Sequence, residues 1–307
     1  MAPGRKKQNQ VQKDSYSDWM LHLPPEKHTI ALWHLVIPGS HDSMTYDLDI
    51  NSPIIEPDML KKYSNLRCVR SIMRNWGRTQ EANILEQLNA GARYFDLRIA
   101  RKENDPDPNR LYFYHGLLTR TDVEVTLWAE QHPKEVIILA LSHFKGFGSN
   151  EVQLHNHLTA FIKNLFGSKL VPKPVSKCWD EKQNVIVSYD YYEANKQSVF
   201  WFKIVYFYGD GMDLTKVEER LTRNLRAASR EYFYVCGLNL TLPENAGALK
   251  YVFRWRSLAS AVRHSLPTLQ RWIQTQAAKS PLNIVASDLV TEGNLVTTIV
   301  NLNETSE

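Results

Sequence analysis

A single α/β domain closed into a distorted (β/α)8 barrel of the TIM type is the fold class this sequence predicts, and three observations carry the expectation. β-rich apolar runs alternate with segments of helical period from end to end, the pattern of a parallel sheet covered by helices. The alternation repeats about eight times, which implies closure into a barrel. No linker-like Ser/Gly/Pro tract divides the 307 residues, a length in the range of the long α/β barrels. The barrel is placed at residues 18–304, after a flexible basic tail at 1–17. A doubly wound open sheet is the alternative, because strand periodicity does not show whether the edge strands meet.

Leu32-Trp33-His34-Leu35-Val36-Ile37 reads as a buried strand ended by Pro38-Gly39, which presents Ser40-His41-Asp42 at its C-terminal edge. A loop rich in Pro and Asp follows, then a helix from about Thr79 to Ala90 on which Ile84, Leu85 and Leu88 share a face, with Gly91 just past its end. Ala92 to Ala100 and Leu111 to Tyr114 are the next strands. A helix through Val123, Leu127 and Trp128 leads to a strand from Glu135 to Leu141. Leu154, Leu158, Phe161, Ile162 and Leu165 give an amphipathic helix from about Val152 to Phe166, stopped by Gly167. Strand Asn184 to Ser188 precedes an aromatic segment, Val199 to Tyr208, whose pattern favours no element. A charged helix from Leu214 to Ser229, a strand from Tyr232 to Leu240, helical stretches around Tyr251 to Arg263 and Thr268 to Ala278, strand Leu282 to Ser287 and a helix from Leu295 to Leu302 complete the series.

The formal net charge of +4 is modest, and Arg5-Lys6-Lys7 and Lys13 supply much of it. The remaining body is nearly neutral, which argues against a dedicated nucleic-acid binder. Cys68, Cys178 and Cys236 are odd in number and lack metal-type spacing, as expected in the reducing cytoplasm. Met1 to Lys13 has no apolar core of a secretory signal, and the longest apolar stretch, Val199 to Tyr208, is too short to span a bilayer and contains Lys203. Any membrane contact is therefore expected to be peripheral and transient.

At a barrel's C-terminal strand ends, where such folds hold their chemistry, these elements bring together His41, Asp42, Asp96, Arg98, His115 and Asp288. First and last strands are neighbours in a closed barrel, so Asp288 is expected to hydrogen-bond the His41 ring and fix its tautomer, with Asp42 doing the same for His115. Two carboxylate-supported histidines suit a reaction in which one group removes a proton while another donates one. Phosphodiester cleavage by an internal hydroxyl is such a reaction, and Arg98 offers a permanently charged fork for the negative charge it develops. The plainer readings are structural strand histidines and an internal Asp96–Arg98 salt bridge. His34, His143, His155 and His157 lack comparable support and are read as structural.

Ile37-Pro38-Gly39-Ser40-His41-Asp42, Trp76-Gly77-Arg78-Thr79-Gln80, the run Gln87 to Arg98 and Tyr114-His115-Gly116 together resemble the X domain of phosphatidylinositol-specific phospholipase C. Order, spacing and strand-end context agree over most of the chain, including Trp19-Met20 and the Asn283 to Asp288 ending. The likeness is to the stand-alone eukaryotic PI-PLC X domain-containing proteins. It implies a distorted barrel, an inositol phospholipid substrate, and in-line attack by the inositol 2-hydroxyl on phosphorus with release of diacylglycerol. Carried over, it makes His41 the general base with Asp288 as its orienting partner, and His115 the general acid assisted by Asp42. Arg98 neutralises the phosphate, and Asp96 helps to hold the polar cluster.

Departures from the family pattern are informative. The calcium-dependent eukaryotic lipases carry Asn after the first catalytic His and acidic ligands at the second and fourth strand ends, where this chain has Asp42, Arg98 and Ser142-His143. Arg98 puts a fixed cation about where calcium would sit, so no metal or other cofactor is expected. The basic residues by which the bacterial enzymes contact inositol are not obvious, Ser142, His143, Tyr189 and Asp190 standing in those neighbourhoods. Two other readings therefore stay open: a phosphoinositide-binding or scaffold protein with weak or no turnover on the same barrel, and a metal-dependent glycerophosphodiester phosphodiesterase using Asp42 and Asp96.

Overall fold

The apolar run that opens the barrel does not become a strand along its length. Leu32–His34 is a turn of 3-10 helix, and strand β1 is Ile37–Ser40, so Pro38 and Gly39 lie inside the strand they were expected to end. The register explains why proline is tolerated there. The Pro38 carbonyl accepts from Arg93 N at 2.9 Å, and the missing Pro38 N–H would have faced the Gly91 carbonyl, which instead accepts from the Trp19 indole at 3.0 Å. Gly39 leaves the room its neighbours need, since a Cβ would lie 3.0 Å from both Ile284 and Tyr94.

This computed structural model describes residues 16–119, 125–173, 183–243, 245 and 247–304. Most of the expected tail and Cys178 fall outside them. The strands are β1, β2 (Tyr94–Ala100), β3 (Tyr112–His115), β4 (Leu117–Leu118), β5 (Ile137–Lys145), β6 (Val185–Tyr189), β7 (Phe200–Trp201), β8 (Val205–Tyr208), β9 (Tyr234–Gly237) and β10 (Ile284–Ser287). The curled sheet runs β7-β6-β5-β2-β1-β10-β9-β8 with every neighbouring pair parallel, so the first and last strands are adjacent as expected. β3 is a correction: it pairs antiparallel with β2 and forms a hairpin with β4, and so is not a stave.

The aromatic segment supplies the closure. β7 pairs parallel with β6, and β8 pairs parallel with β9, although only residues 202–204 separate them. One extended stretch therefore changes partner across the seam. There the Ser188 hydroxyl donates to the Phe202 carbonyl at 2.9 Å and accepts from Ile204 N at 3.2 Å, in place of two ladder bonds.

The helices are α1 (Asp58–Lys61), α2 (Arg67–Gly77), α3 (Ile84–Asn89), α4 (Val125–Gln131), α5 (Glu151–Phe166), α6 (Tyr192–Asn195), α7 (Leu214–Leu225), α8 (Ala248–Arg254), α9 (Leu258–Ala277) and α10 (Leu295–Asn301). The helix expected from Thr79 begins later, because Asn83 caps it by accepting from Glu86 N while the Glu86 carboxylate returns to Asn83 N. α2 escapes a reading of apolar runs: it is basic, and Val69 and Met73 meet only a small cluster around Leu48, Ile54 and Leu117. The two late helical stretches divide at residues 255–257 and not at Pro267, which lies inside α9. Leu266, Leu269 and Ile273 bury one face of that helix, each contributing roughly 1.5–3 kcal/mol. At the base of the barrel, Arg93 and Glu135 form a fully buried ion pair at 2.7 Å, and Arg93 also donates to the Tyr16 and Ser17 carbonyls.

Candidate active site

All six residues singled out from the sequence meet at one end of the barrel. His41 and Asp42 follow β1, Asp288 follows β10, Asp96 and Arg98 lie on β2, and His115 ends β3. His41, Asp42, Asp96 and Asp288 are buried, whereas the side chain of His115 keeps 26% of its surface. Asp42 has φ 42° and Leu289 has φ 47°, so the chain bends through the left-handed region beside each strand end.

The two imidazoles are held alike but by different partners. His41 Nδ1 lies 2.7 Å from Asp288 Oδ1, while Asp288 Oδ2 accepts from Leu240 N at 3.3 Å. His115 Nδ1 lies 2.7 Å from the Gly77 carbonyl, which can only accept, so that ring carries its proton on Nδ1 when neutral. Gly77 ends α2, and the ring satisfies one of that helix's orphan carbonyls. Both Nε2 atoms thus face the site. His115 Nε2 is 3.4 Å from Asp42 Oδ2 and His41 Nε2 is 3.1 Å from the same oxygen, with the ring centroids 6.2 Å apart.

Arg98 completes the cluster. Its Nε lies 2.6 Å from Asp42 Oδ1, and its Nη2 is 3.3 Å from His41 Nε2 and 3.7 Å from Asp96 Oδ2. Asp42 is held by charge and not by aligned hydrogen bonds, since neither carboxylate oxygen has a directional donor. Burial pushes its carboxyl up, but Arg98, His115 and His41 outweigh that and keep it below the usual carboxylate range. Burial depresses the His41 ring, yet Asp42 and Asp288 more than offset it, so its pKa is raised above the ordinary imidazole value. His41 Nε2 consequently has a neighbour for either protonation state, Asp42 Oδ2 when it carries the proton and Arg98 Nη2 when it does not.

One ligand atom from each of His41, Asp42 and Asp96 lies within 4.8 Å of the others, a spacing compatible with a divalent ion. The guanidinium already stands among those atoms, and a metal bound there would face a fixed positive charge.

Several neighbours escaped the sequence reading. Tyr206, from the aromatic segment, has its ring centroid 6.0 Å from that of His41 and donates to Asn239 Oδ1 at 3.2 Å. Burial, with Asp96 next, pushes its phenol well above the usual range, so it stays protonated. His143, read as structural, is exposed at φ 52° and lines a cavity of about 20 Å³ together with Asp96, Ser142, Lys203, Tyr206 and Tyr208. Lys203 is a basic residue that strand-end counting could not place, because it comes from the seam; its Nζ donates to Asp190 Oδ2 at 2.6 Å. Thr79 and Gln80, quoted above without a role, bond to the His41 and Ser287 carbonyls.

No protein-family model matches the chain. Among curated proteins it is 37% identical over 298 residues to PI-PLC X domain-containing protein 1 of Danio rerio, covering 91% of this chain and 93% of that protein. It is 36% identical over 312 residues to the Homo sapiens protein of the same name, with 95% and 94% covered. PI-PLC X domain-containing protein 3 of Homo sapiens is 32% identical over 316 residues, with 94% and 93% covered. Among solved structures, the chain resembles phosphatidylinositol-specific phospholipase C from Listeria monocytogenes with a TM-score of 0.64 at 18% identity, over 94% of this chain and 99% of that one. The Staphylococcus aureus phosphatidylinositol-specific phospholipase C gives a TM-score of 0.63 at 18% identity, over 94% and 98%. At such identities the structural likeness establishes the barrel fold.

Proposed function

The chain belongs to the family of PI-PLC X domain-containing proteins, and from that premise we propose that it is a phosphoric diester hydrolase of the phosphatidylinositol-specific phospholipase C type. The observation that carries the proposal is the convergence of two Nδ1-anchored imidazoles on one carboxylate and one guanidinium. His41 Nε2 takes the proton from the inositol 2-hydroxyl as that oxygen bonds to phosphorus. His115 Nε2 gives a proton to the glycerol oxygen as its bond to phosphorus breaks, releasing diacylglycerol. Internal attack leaves a cyclic phosphodiester, which water opens to inositol phosphate with the two histidines in exchanged roles. Asp288 orients His41, Asp42 supports His115, Arg98 balances charge on the phosphate oxygens, and Asp96 holds Arg98 in place. Because Arg98 supplies the cation, the reaction proceeds without a metal.

Substrate reaches the site from a membrane, by peripheral contact. α8 buries none of its residues, and Phe253 is 85% and Leu249 56% exposed, with Lys250 and Arg254 beside them. Tyr251, Val252 and Trp255 pack instead on the cluster of Trp76 and Leu289. In the aromatic segment Phe200 is buried in the barrel, whereas Phe202 is exposed. Among the described residues no helix is long and apolar enough to cross a bilayer.

One observation favours the second reading, a lipid-binding protein with little turnover: the cavity of about 20 Å³ lined by Asp96, Ser142, Lys203, Tyr206 and Tyr208 has room for only one or two waters. Release of inositol phosphate from phosphatidylinositol vesicles by purified protein, with calcium and with chelator, separates the readings. Product under both conditions that is lost in His41→Ala supports the hydrolase; vesicle binding without product supports the alternative.

A further inference from the structure

The stretch Trp76-Gly77-Arg78-Thr79-Gln80 carries no group of the acid, base or nucleophile kind beyond a hydroxyl and an amide, yet it touches the ends of β1 and β10 and the hairpin of His115. The parallel ladder between β1 and β10 ends with His41 N donating to the Ser287 carbonyl at 3.1 Å. Beyond it the chain turns through the left-handed region at Asp42 and Leu289, so the His41 carbonyl lies past the last ladder bond and the Ser287 carbonyl has a second lone pair to satisfy. One fully buried amide gathers them. Gln80 Nε2 donates to the His41 carbonyl at 3.0 Å and the Ser287 carbonyl at 2.9 Å, and Gln80 Oε1 accepts from Val290 N at 3.0 Å. Thr79 reinforces the clamp: its carbonyl accepts from Leu289 N at 2.7 Å, and its hydroxyl reaches the His41 and Asp42 carbonyls at 3.0 and 3.1 Å.

The other end of the stretch holds the second histidine. His115 stands on a hairpin that, among the described residues, pairs with β2 through Ile99–Phe113 and Ala100–Tyr112 and is bridged at Leu48–Thr119 and Ile54–Leu117 to the segment after β1, contacts that place its backbone but not its ring. The Gly77 carbonyl holds the ring, at 2.7 Å from Nδ1, and a Cβ on Gly77 would lie 3.0 Å from the His115 carbonyl. Residues 77–80 thus join the hairpin to the ends of β1 and β10.

We propose that Gly77–Gln80 is a positioning strap, in which Gln80 fixes the spacing of the β1 and β10 ends and so the His41–Asp288 bond, while Gly77 holds His115 opposite. The inference rests on the acid and base roles proposed above, but its first test needs no substrate. The His41 Nδ1 proton, shared with a carboxylate at 2.7 Å, gives a downfield proton resonance, assigned by its loss in Asp288→Asn. In Gln80→Leu that resonance moves upfield and broadens, kcat falls by about 10–100-fold with KM nearly unchanged, and the acid limb of the pH profile shifts downward. Gln80→Glu keeps the shape; it works while the new carboxyl is neutral and can donate one hydrogen bond, and fails as it ionises against two carbonyls. Folded Gln80 variants with an unmoved resonance and unchanged kcat, or a loss wholly in KM, overturn the proposal. So does failure of both variants to fold, which would assign Gln80 to stability alone. If the wild-type protein shows no turnover, the proposed activity fails while the resonance still decides the strap.

Discussion

Asp288→Asn tests the proposed mechanism most sharply, because the structure dictates which way the new amide points. Asp288 Oδ2 accepts from Leu240 N at 3.3 Å while Oδ1 faces His41 Nδ1 at 2.7 Å. Only the amide oxygen of asparagine can accept from Leu240, so its NH2 group is turned toward His41. Two donors then meet unless His41 moves its proton to Nε2, and a ring protonated there has no lone pair for the inositol hydroxyl. The expected loss is about two to four orders of magnitude in kcat, or roughly 3–5 kcal/mol of barrier, with KM little changed. The pH profile carries a second signature. His41 must be neutral to act as base, and its pKa is raised by Asp42 and Asp288 against the opposing effect of burial, so the acid limb of kcat/KM lies above the ordinary imidazole value in the wild type. Removing the Asp288 charge moves that limb to lower pH. Inositol phosphate release from vesicles across pH 5 to 9, about the range in which a histidine titrates, measures both effects. An Asp288→Asn variant with turnover within about threefold of wild type and an unmoved acid limb would refute the tautomer argument.

Arg98→Lys keeps the charge but loses the planar fork that spans Asp42, His41 and Asp96, and turnover is expected to fall by about 10²–10³. The wild-type activity should be indifferent to chelator; restoration by calcium would favour a metal mechanism instead. Arg93→Met leaves Glu135 buried without its partner and is expected to cost about 3–5 kcal/mol in urea unfolding, and a loss under about 1 kcal/mol would contradict that account. Replacing Leu249 and Phe253 on α8 with serine is expected to weaken sedimentation with anionic vesicles by about 10–100-fold while sparing activity on a water-soluble inositol phosphodiester. Equal loss on both substrates would place α8 in the fold and not at an interface.

What the sequence by itself determined follows from local chemistry. Strand and helix alternation gave an α/β barrel, because apolar period and Gly or Asn caps are local properties, and α5, α10, β6 and β10 lie near their expected places. The six candidate residues were legible because each follows a stave, lies on one, or sits on the hairpin beside one. Tertiary structure alone decided the rest. It made β3 an antiparallel hairpin, on which the Gly77 carbonyl holds the His115 ring, and it showed α2, whose few packed apolar residues are split between two clusters, Val69 and Met73 in one and Trp76 in the other. It turned the aromatic segment into the stretch that closes the barrel and carries Lys203 and Tyr206 to the mouth. It also gave Gln80 its three bonds to residues 39 to 210 positions away. Periodicity reports which face of an element is buried, whereas the direction of a strand, the partner of a buried amide and the spacing of two imidazoles depend on groups far apart in the chain that only packing brings together.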